Sequence, residues 1–363
     1  MLSIILDQIK PSFLTNLEFN TDDDAIEIIY WLKLRLNRPN TYKTYRVVVF
    51  RFYLWLKFKN YTLKTITRKE IIDYLEFIQS PPPEWCGTRH HFNHPEWKPF
   101  HQKLSQTGMQ FNIQIIRQLF NDLVQTSYIA KSPVPHNLKY SIIVTNLPIE
   151  KYLTKSEFKQ LYKYIESLPE TSAVEKNRKI RIKWIINLLV YTGARRAELS
   201  NARMSDIFFK NDKCWLKVIG KGNKYGEIPV IDALEKSLDE YRRFYGLPKI
   251  RSRIDLEVDI PLIIRSRPDD KQIKSHNSTI CREVKTICTQ FAKTVTDQAF
   301  VKKLLKVSTH WFRHTSATLQ VDAGIDIRVV QRNLRHSSIE TTMLYQHVQQ
   351  DSQHDEINSK FNI

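Results

Sequence analysis

The sequence predicts a mainly α-helical protein with one small antiparallel β-sheet, an α+β fold in two domains. Its 363 residues are too many for one ordinary core, which suggests two domains of roughly 150 residues each. Apolar residues recur at three- and four-residue intervals in the front of the chain, as they do on amphipathic helices. Three short runs between residues 206 and 230 read instead as strands separated by turn residues.

The front of the chain, residues 1–130, is predicted to be a helical domain. Three carboxylates at residues 22–24 suit a helix N-terminus. Asn40 can cap the second helix, on which four apolar residues repeat at helical spacing: Tyr45, Val49, Phe52 and Leu56. Helices are expected over 22–36, from Asn40 past Leu56, and over 68–79 and 105–126.

Four basic residues lie opposite that apolar stripe: Lys43, Arg46, Arg51 and Lys57. A solvated helix face would explain all four. A DNA groove is an equally good partner for Lys43 and Arg46, and the sequence leaves both interpretations open.

An insertion rich in proline, histidine and tryptophan, residues 80–104, separates two of these helices. It holds five possible metal ligands: Cys86, His90, His91, His94 and His101. The prolines and tryptophans nevertheless favour an ordered loop packed by its aromatics, so we predict no metal and no cofactor. The cysteines lack the Cys-x-x-Cys spacing of a structural zinc site and are expected to be reduced thiols.

Residues 131–150 form the predicted linker, because Pro133 and Pro135 cannot continue the last front helix. Thr154 and Glu157 then open a new helix with capping-box spacing. The second domain is expected over residues 151–363, with a C-terminal tail at 346–363.

The second domain is predicted to be helical around one small sheet. Its strands are expected at 206–209, 214–218 and 227–230, with turns at 211–212 and 220–223. Helices are expected after Thr154 and at 233–245, 278–294, 311–323, 327–334 and 338–344.

The charge balance points to a polyanionic partner. Lys and Arg total 56 against 38 Asp and Glu, which gives a formal net charge of +18. Phosphates attract such a chain. An anionic membrane surface would require an amphipathic anchor or an apolar span. Because neither these features nor a signal peptide is recognised in the sequence, we predict no membrane association and a cytoplasmic, nucleoid-associated location.

Two clusters of histidine and arginine precede a tyrosine near the C-terminus. They are His310-Trp311-Phe312-Arg313 and Leu334-Arg335-His336, and Tyr345 follows the second. Cations and imidazoles are what a phosphodiester needs if a protein hydroxyl is to attack it, since the transition state gains negative charge. Upstream, Arg195 adds an arginine, and Lys221 adds a lysine on a glycine-flanked turn.

In this order and spacing, the arginine, lysine, His-x-x-Arg, histidine and tyrosine resemble the tyrosine recombinase (phage integrase) family. Arg195 takes the arginine position of the family's Thr-Gly-x-Arg-x-x-Glu-Leu pattern. The resemblance implies a tyrosine recombinase catalytic domain at the C-terminus. Over the front half it is looser, and implies a helical core-type DNA-binding domain.

The resemblance implies a role for each matching residue. Tyr345 is the nucleophile that forms a 3′-phosphotyrosyl bond, so the reaction needs neither ATP nor metal. Lys221 protonates the leaving 5′-oxygen as general acid. His310 accepts the tyrosine proton or hydrogen-bonds the phosphate. The phosphate oxygens are bound by Arg195, Arg313 and His336.

Supporting roles follow for two neighbours. Glu198 could hold the Arg195 guanidinium one helical turn away. Lys224 is expected to contact the DNA backbone, and it is the other candidate for the role of Lys221.

The implied partner is double-stranded DNA, and the protein is expected to be a monomer in free solution and a tetramer at synapsis. The tail would reach a neighbouring protomer, and directionality or DNA-bending factors are further partners. Whether such a chain integrates, excises, inverts or resolves DNA is left open, as is a catalytically silent, sequence-specific DNA-binding regulator. That alternative should have lost at least one of the six residues, and none is lost.

One position departs from the family pattern, which usually has Leu-Gly-His where this chain has Leu334-Arg335-His336. If the glycine serves a positive φ, arginine costs on the order of 1 kcal/mol of strain there. If the backbone is an ordinary helix end, Arg335 adds a phosphate contact instead.

Overall fold

The computed structural model describes residues 22–88, 90, 94–138, 151–220, 224–252, 260–265, 276–336 and 339–343. The chain divides into two compact units, residues 1–145 and 146–363. Of the predicted linker only residues 131–138 are described, and the predicted tail lies outside the described residues. The described chain is mainly helical with one three-stranded antiparallel sheet, which confirms the predicted fold class.

Four helices build the described part of the first unit: α1 (Asp23–Lys33), α2 (Pro39–Phe58), α3 (Arg68–Gln79) and α4 (Gln106–Gln125). Local chemistry fixes most starts. The Asp22 carboxylate accepts the Ala25 N–H at 2.8 Å, and Thr67 opens α3 with a capping box. The predicted Asn40 cap is wrong, because α2 begins at Pro39, whose missing N–H costs nothing in a first turn.

The predicted apolar stripe of α2 forms the centre of the first core. Val49, Phe52 and Leu56 are fully buried. Phe52 meets the ring of Tyr74 edge-on at 4.8 Å and that of Phe120 at 5.8 Å between centroids. Such edge-to-face pairs add specific geometry to the area that the rings bury.

The predicted basic face of α2 is only partly solvated. Lys43 is exposed and Arg46 is half-buried, but Lys57 pairs with Asp22. Arg51 contradicts the solvated interpretation, because its side chain is buried and donates to the Pro99 carbonyl at 3.1 and 2.8 Å.

The described part of the insertion, residues 80–88, 90 and 94–104, is an ordered loop held by its aromatics, as predicted. A short 3₁₀ turn (Pro83–Trp85) leads into it. Trp85 and Phe100 are buried, and main-chain bonds join Gly87 N–H to the Phe100 carbonyl at 2.9 Å and Phe100 N–H to the Trp85 carbonyl at 3.0 Å.

The described helices of the second unit are α5 (Lys155–Glu166), α6 (Ala173–Thr192), α7 (Arg196–Asn201), α8 (Asp232–Phe244), α9 (Asn277–Ala292), α10 (Gln298–Leu304), α11 (Thr309–Asp322), α12 (Ile327–Leu334) and α13 (Glu340–Met343). Thr154 and Glu157 form the predicted capping box of α5. Helices α6 and α10 are not among the predictions, and α7 is implied only by the one-turn spacing of Arg195 and Glu198. Helix α6 packs against α8 and α11, and it escapes a periodicity test because buried residues surround most of its axis.

The sheet lies between α7 and α8 in the sequence. Its strands are β1 (Ile207–Lys210), β2 (Lys213–Ile219) and β3 (Tyr225–Pro229), in the order β1-β2-β3. Leu216 pairs with Ile207 on one side and Ile228 on the other, and all three are buried. The predicted turn between β1 and β2 is confirmed, with positive φ at Asn211 and Asp212.

Candidate active site

The first site arginine stands at a tight junction between two helices. Gly193 ends α6 with a φ of +57°, and a Cβ there would lie 2.5 Å from Leu334 Cδ2, so a larger residue would be strained and would displace Leu334. Two residues after Gly193, Arg195 is the N-cap of α7. Its side chain is 45% exposed, whereas that of Glu198, which accepts from Arg195 Nη1 at 3.1 Å, is 3% exposed. One face of the guanidinium is therefore anchored while the group still reaches solvent.

Arg313 is the rigid member of the site. It lies on α11, is 3% exposed, and donates through Nη1 to the Gly193 carbonyl at 2.6 Å. Through Nη2 it donates to the Leu334 carbonyl at the end of α12. These two bonds tie together the ends of α6 and α12, and they fix the guanidinium in place.

His310 lies one turn before Arg313 on α11, as predicted. Its ring meets the ring of His314 edge-on, with 4.4 Å between centroids. Partial burial lowers the pKa of His310, and the positive charges of Arg313, Lys151 and Arg195 lower it further. Burial lowers the pKa of His314 to about 4, and the charges of His310, Arg313 and Lys151 add to this effect. Both imidazoles are therefore neutral at physiological pH.

His336 follows the end of α12 and faces the same cations. Burial lowers its pKa to about 4, and the charges of Arg313 and Arg195 add to this effect. Its Nδ1 lies 2.8 Å from the hydroxyl of Thr342, on α13. When that hydroxyl donates, the imidazole proton resides on Nε2, which can then donate to an anion.

The structure thus brings four predicted site residues into one cluster: Arg195, His310, Arg313 and His336. The charges of Arg313 and Arg195 lower the pKa of both His310 and His336, and His310 also lowers that of His336, so these groups lie within electrostatic reach of one another. The remaining two, Lys221 and Tyr345, lie outside the described residues, as does His91 of the insertion.

The described strands on either side of the predicted lysine turn lead to this cluster. Gly220 N–H donates to the Lys224 carbonyl at 2.8 Å and so closes the hairpin of β2 and β3. The Lys224 side chain is exposed. A Cβ on Gly220 would lie 3.2 Å from Glu198 Oε1, so the hairpin passes directly beside the Arg195 anchor.

Arg335 resolves the question that the sequence left open. Its φ is +54°, so the helix end does require the left-handed conformation that the family's glycine adopts easily. Its side chain pairs with Glu198. This contact joins residues 137 positions apart, and the sequence contains no signal for it.

Two other features bear on ligands. His90, His94 and Glu96 offer side-chain ligand atoms that all lie within 4.8 Å of one another, and these residues could hold a metal ion. Within the described ranges, no helix combines the length and the apolar character that a bilayer crossing demands.

Comparison with known proteins identifies the family. Residues 151–352 match the model of the phage integrase family. This stretch is more than half of the chain, and the chain therefore belongs to the phage integrase family of tyrosine recombinases. A tyrosine recombinase of Thermosipho africanus (strain TCF52B) is 27% identical over 338 residues, which cover 92% of this chain and 99% of that protein.

Solved structures show the same fold. A XerH site-specific recombinase bound to a palindromic difH substrate superposes with a TM-score of 0.60 at 17% identity, covering 99% of this chain and 93% of that one. A lambda integrase, in a tetramer bound to a Holliday junction, gives a TM-score of 0.55 at 18% identity, covering 86% and 77%. These structural matches confirm the predicted fold class, and the match of residues 151–352 to the family model confirms the predicted family.

Proposed function

We propose that this recombinase breaks and rejoins DNA strands at specific sites through a covalent 3′-phosphotyrosyl bond to Tyr345. One observation carries the proposal: two fixed guanidiniums and two neutral imidazoles, those of Arg195, Arg313, His310 and His336, form one cluster. Such a set can bind the non-bridging oxygens of a phosphodiester and accept one proton.

The arginines stabilise the charge that develops as the tyrosine attacks. Arg313 is held by two main-chain carbonyls, so it does not have to reorganise during the reaction. Preorganised cations of this kind lower a barrier more than mobile ones do. Arg195, anchored on one side by Glu198, reaches out to the same phosphate.

The proton steps follow from the imidazoles. The Tyr345 oxygen forms the new bond to phosphorus as its proton passes to neutral His310, and the bond to the DNA 5′-oxygen breaks. Lys221 supplies a proton to that leaving oxygen. His336 donates a hydrogen bond from Nε2 to a phosphate oxygen. One phosphoester bond replaces another, so its energy is stored and religation needs no ATP. The scheme uses no metal.

The proposed assembly is a monomer in solution that forms a tetramer on DNA, with the segment after Tyr345 contacting a neighbour. The net charge of +18 and the lambda integrase tetramer on a Holliday junction support it. Directionality or DNA-bending factors would act on this assembly, and its working place would be the nucleoid in the cytoplasm. Integration and excision are the proposed outcomes on DNA.

A covalent-trapping assay tests the proposal. A nicked duplex made from DNA flanking the gene, which loses a short 5′-hydroxyl fragment on cleavage, is incubated with enzyme in EDTA without ATP. We expect a denaturant-resistant protein–DNA adduct with the wild type and none with Tyr345→Phe. Tyr225→Phe, which removes the hydroxyl of an exposed tyrosine on β3, is the matched control and should form the adduct.

The contrary result is specific. Tight, salt-sensitive binding without any adduct, on this duplex and on other candidate sites, would favour the silent DNA-binding regulator. An adduct that survives in Tyr345→Phe would assign the nucleophile to another residue.

A further inference from the structure

Arg335 occupies a backbone conformation that disfavours it. At a φ of +54° its Cβ is crowded by the neighbouring main chain. Glycine and asparagine tolerate this left-handed conformation far better. A strained backbone conformation at a functional site suggests that the side chain of that residue contributes to function.

The side chain of Arg335 reaches a buried carboxylate that Arg195 also uses. Arg335 Nη2 donates to Glu198 Oε2, and the two side chains are 16% and 3% exposed. The same oxygen accepts the Arg195 main-chain N–H at 2.7 Å, and Oε1 accepts Arg195 Nη1 at 3.1 Å. Glu198 is thus shared by two guanidiniums, of which only that of Arg195 reaches well into solvent.

The pair also touches both strands of the hairpin on either side of residues 221–223. A Cβ on Gly226, in β3, would lie 2.4 Å from Arg335 Cδ, so the arginine passes directly over that glycine. A Cβ on Gly220, at the end of β2, would lie 3.2 Å from Glu198 Oε1. The ion pair is therefore packed between α7 and the base of the hairpin.

We infer that Arg335 is a positioning residue of the recombinase, which acts through Glu198 on Arg195. This inference rests on the proposed function, in which Arg195 binds the scissile phosphate. When Arg195 Nη1 exchanges Glu198 for a phosphate oxygen, the buried carboxylate would lose a counter-ion. Arg335 remains beside it, and a buried charge that keeps a partner avoids a large desolvation cost. Arg195 is then free to follow the phosphate into the transition state.

The main test uses Arg335→Asn, because asparagine adopts the left-handed conformation but carries no charge. We expect the single-turnover cleavage rate of the nicked duplex to fall about tenfold, a loss equal to about 1.4 kcal/mol of transition-state stabilisation. DNA affinity should stay within about twofold. Arg335→Lys, which keeps the charge, should recover part of the rate. Arg328→Asn, which removes an exposed arginine near the start of α12, is the matched control.

Combined variants distinguish a positioning role of Arg335 from a purely structural one. In the E198Q background no buried charge needs compensation, so adding Arg335→Asn should change the rate less than about twofold. Gly226→Ala should slow cleavage in the wild type, because its methyl group displaces Arg335. The same Gly226→Ala change should have no effect in the R335G background, where the space is empty.

Four outcomes overturn the inference. An unchanged cleavage rate in Arg335→Asn shows that Arg195 needs no help. Weaker DNA binding with a flatter salt dependence, undiminished by E198Q, makes Arg335 a direct phosphate ligand instead. A wild type that forms no adduct removes the proposed function and this inference with it. A wild-type adduct with additive variants removes the inference alone.

Discussion

Two buried arginines, Arg313 in the second unit and Arg51 in the first, are held in almost the same way. Each lies on a long helix, and the residues are 3% and 7% exposed. Each guanidinium donates to main-chain carbonyls: Arg313 to those of Gly193 and Leu334, and Arg51 twice to that of Pro99. Burial and backbone partners therefore do not distinguish the proposed catalytic arginine, Arg313, from the structural one, Arg51.

The groups around each arginine make the difference. Arg51 lies over the ring of Phe100 at 4.2 Å and reaches the amide of Asn112, so its charge ties the insertion to α2. Arg313 lies among imidazoles, and its charge helps to lower the pKa of three of them: His310, His314 and His336. A fixed cation becomes a candidate catalyst when groups that can transfer protons surround it.

The largest predicted effect separates these two arginines. Arg313→Lys keeps the charge but loses the fork that binds two carbonyls and a phosphate oxygen at once. We expect the cleavage rate to fall by about two to three orders of magnitude, as when one preorganised donor to a transition state is removed. DNA affinity should change only a few-fold, as measured by titration of the same nicked duplex.

Arg51→Lys is the matched change in the first unit. It should destabilise the protein by on the order of 2 kcal/mol, because an ammonium group cannot reproduce the two bonds of the guanidinium to the Pro99 carbonyl and its bond to Asn112. Thermal unfolding should show this loss, while the cleavage rate below the transition should match the wild type. Equal losses of rate in both variants would break the comparison, since burial alone would then govern activity.

The sequence predicted the cluster because its motifs depend on the spacing of residues along the chain. His310 and Arg313 lie one helical turn apart whatever surrounds them, and the hairpin glycines mark a turn by composition. The Arg51 contact and the Arg335–Glu198 pair were not predictable, since each joins segments that only the tertiary fold brings together. Helix α6 was missed for a related reason: a helix buried on most sides has no polar face to reveal its period.

The next largest effect is a loss of stability in acid, which arises in the second unit because the pKa of His314 differs between the folded and the unfolded chain. His314 has a folded pKa of about 4, below the value of about 6.5 in an unfolded chain. Between those values the unfolded state binds more protons, so stability is complete above pH 6.5 and is lost as the pH falls toward 4. Solvent screening of this half-buried group reduces its share at pH 5 to about 1 kcal/mol.

Replacing that group tests the location. His314→Gln should lose about 3 °C less in melting temperature than the wild type between pH 7 and pH 5. Identical losses in the two proteins would place the acid sensitivity in other residues. His310 gives a kinetic counterpart: its lowered pKa should keep the cleavage rate constant from pH 8 down to about 6.5, with a decline only below.

The smallest effect concerns the basic residues of α2, where the structure splits a face that looked uniform in sequence. Lys43 is exposed, whereas the ammonium of Lys57 is already paired with Asp22. A lysine that contacts a phosphate releases about one counterion, so its loss lowers the slope of log K against log salt by about 0.9. Lys43→Ala should therefore weaken DNA binding about threefold in low salt, with the difference vanishing as salt is raised.

Arg46→Ala, at a half-buried position beside the Tyr42 ring, should act in the same direction. Lys57→Ala, which removes the same charge from the same helix, should leave the salt slope unchanged. If all three variants shift the slope equally, α2 contributes only its total charge to DNA binding, and no particular residue of it meets a phosphate.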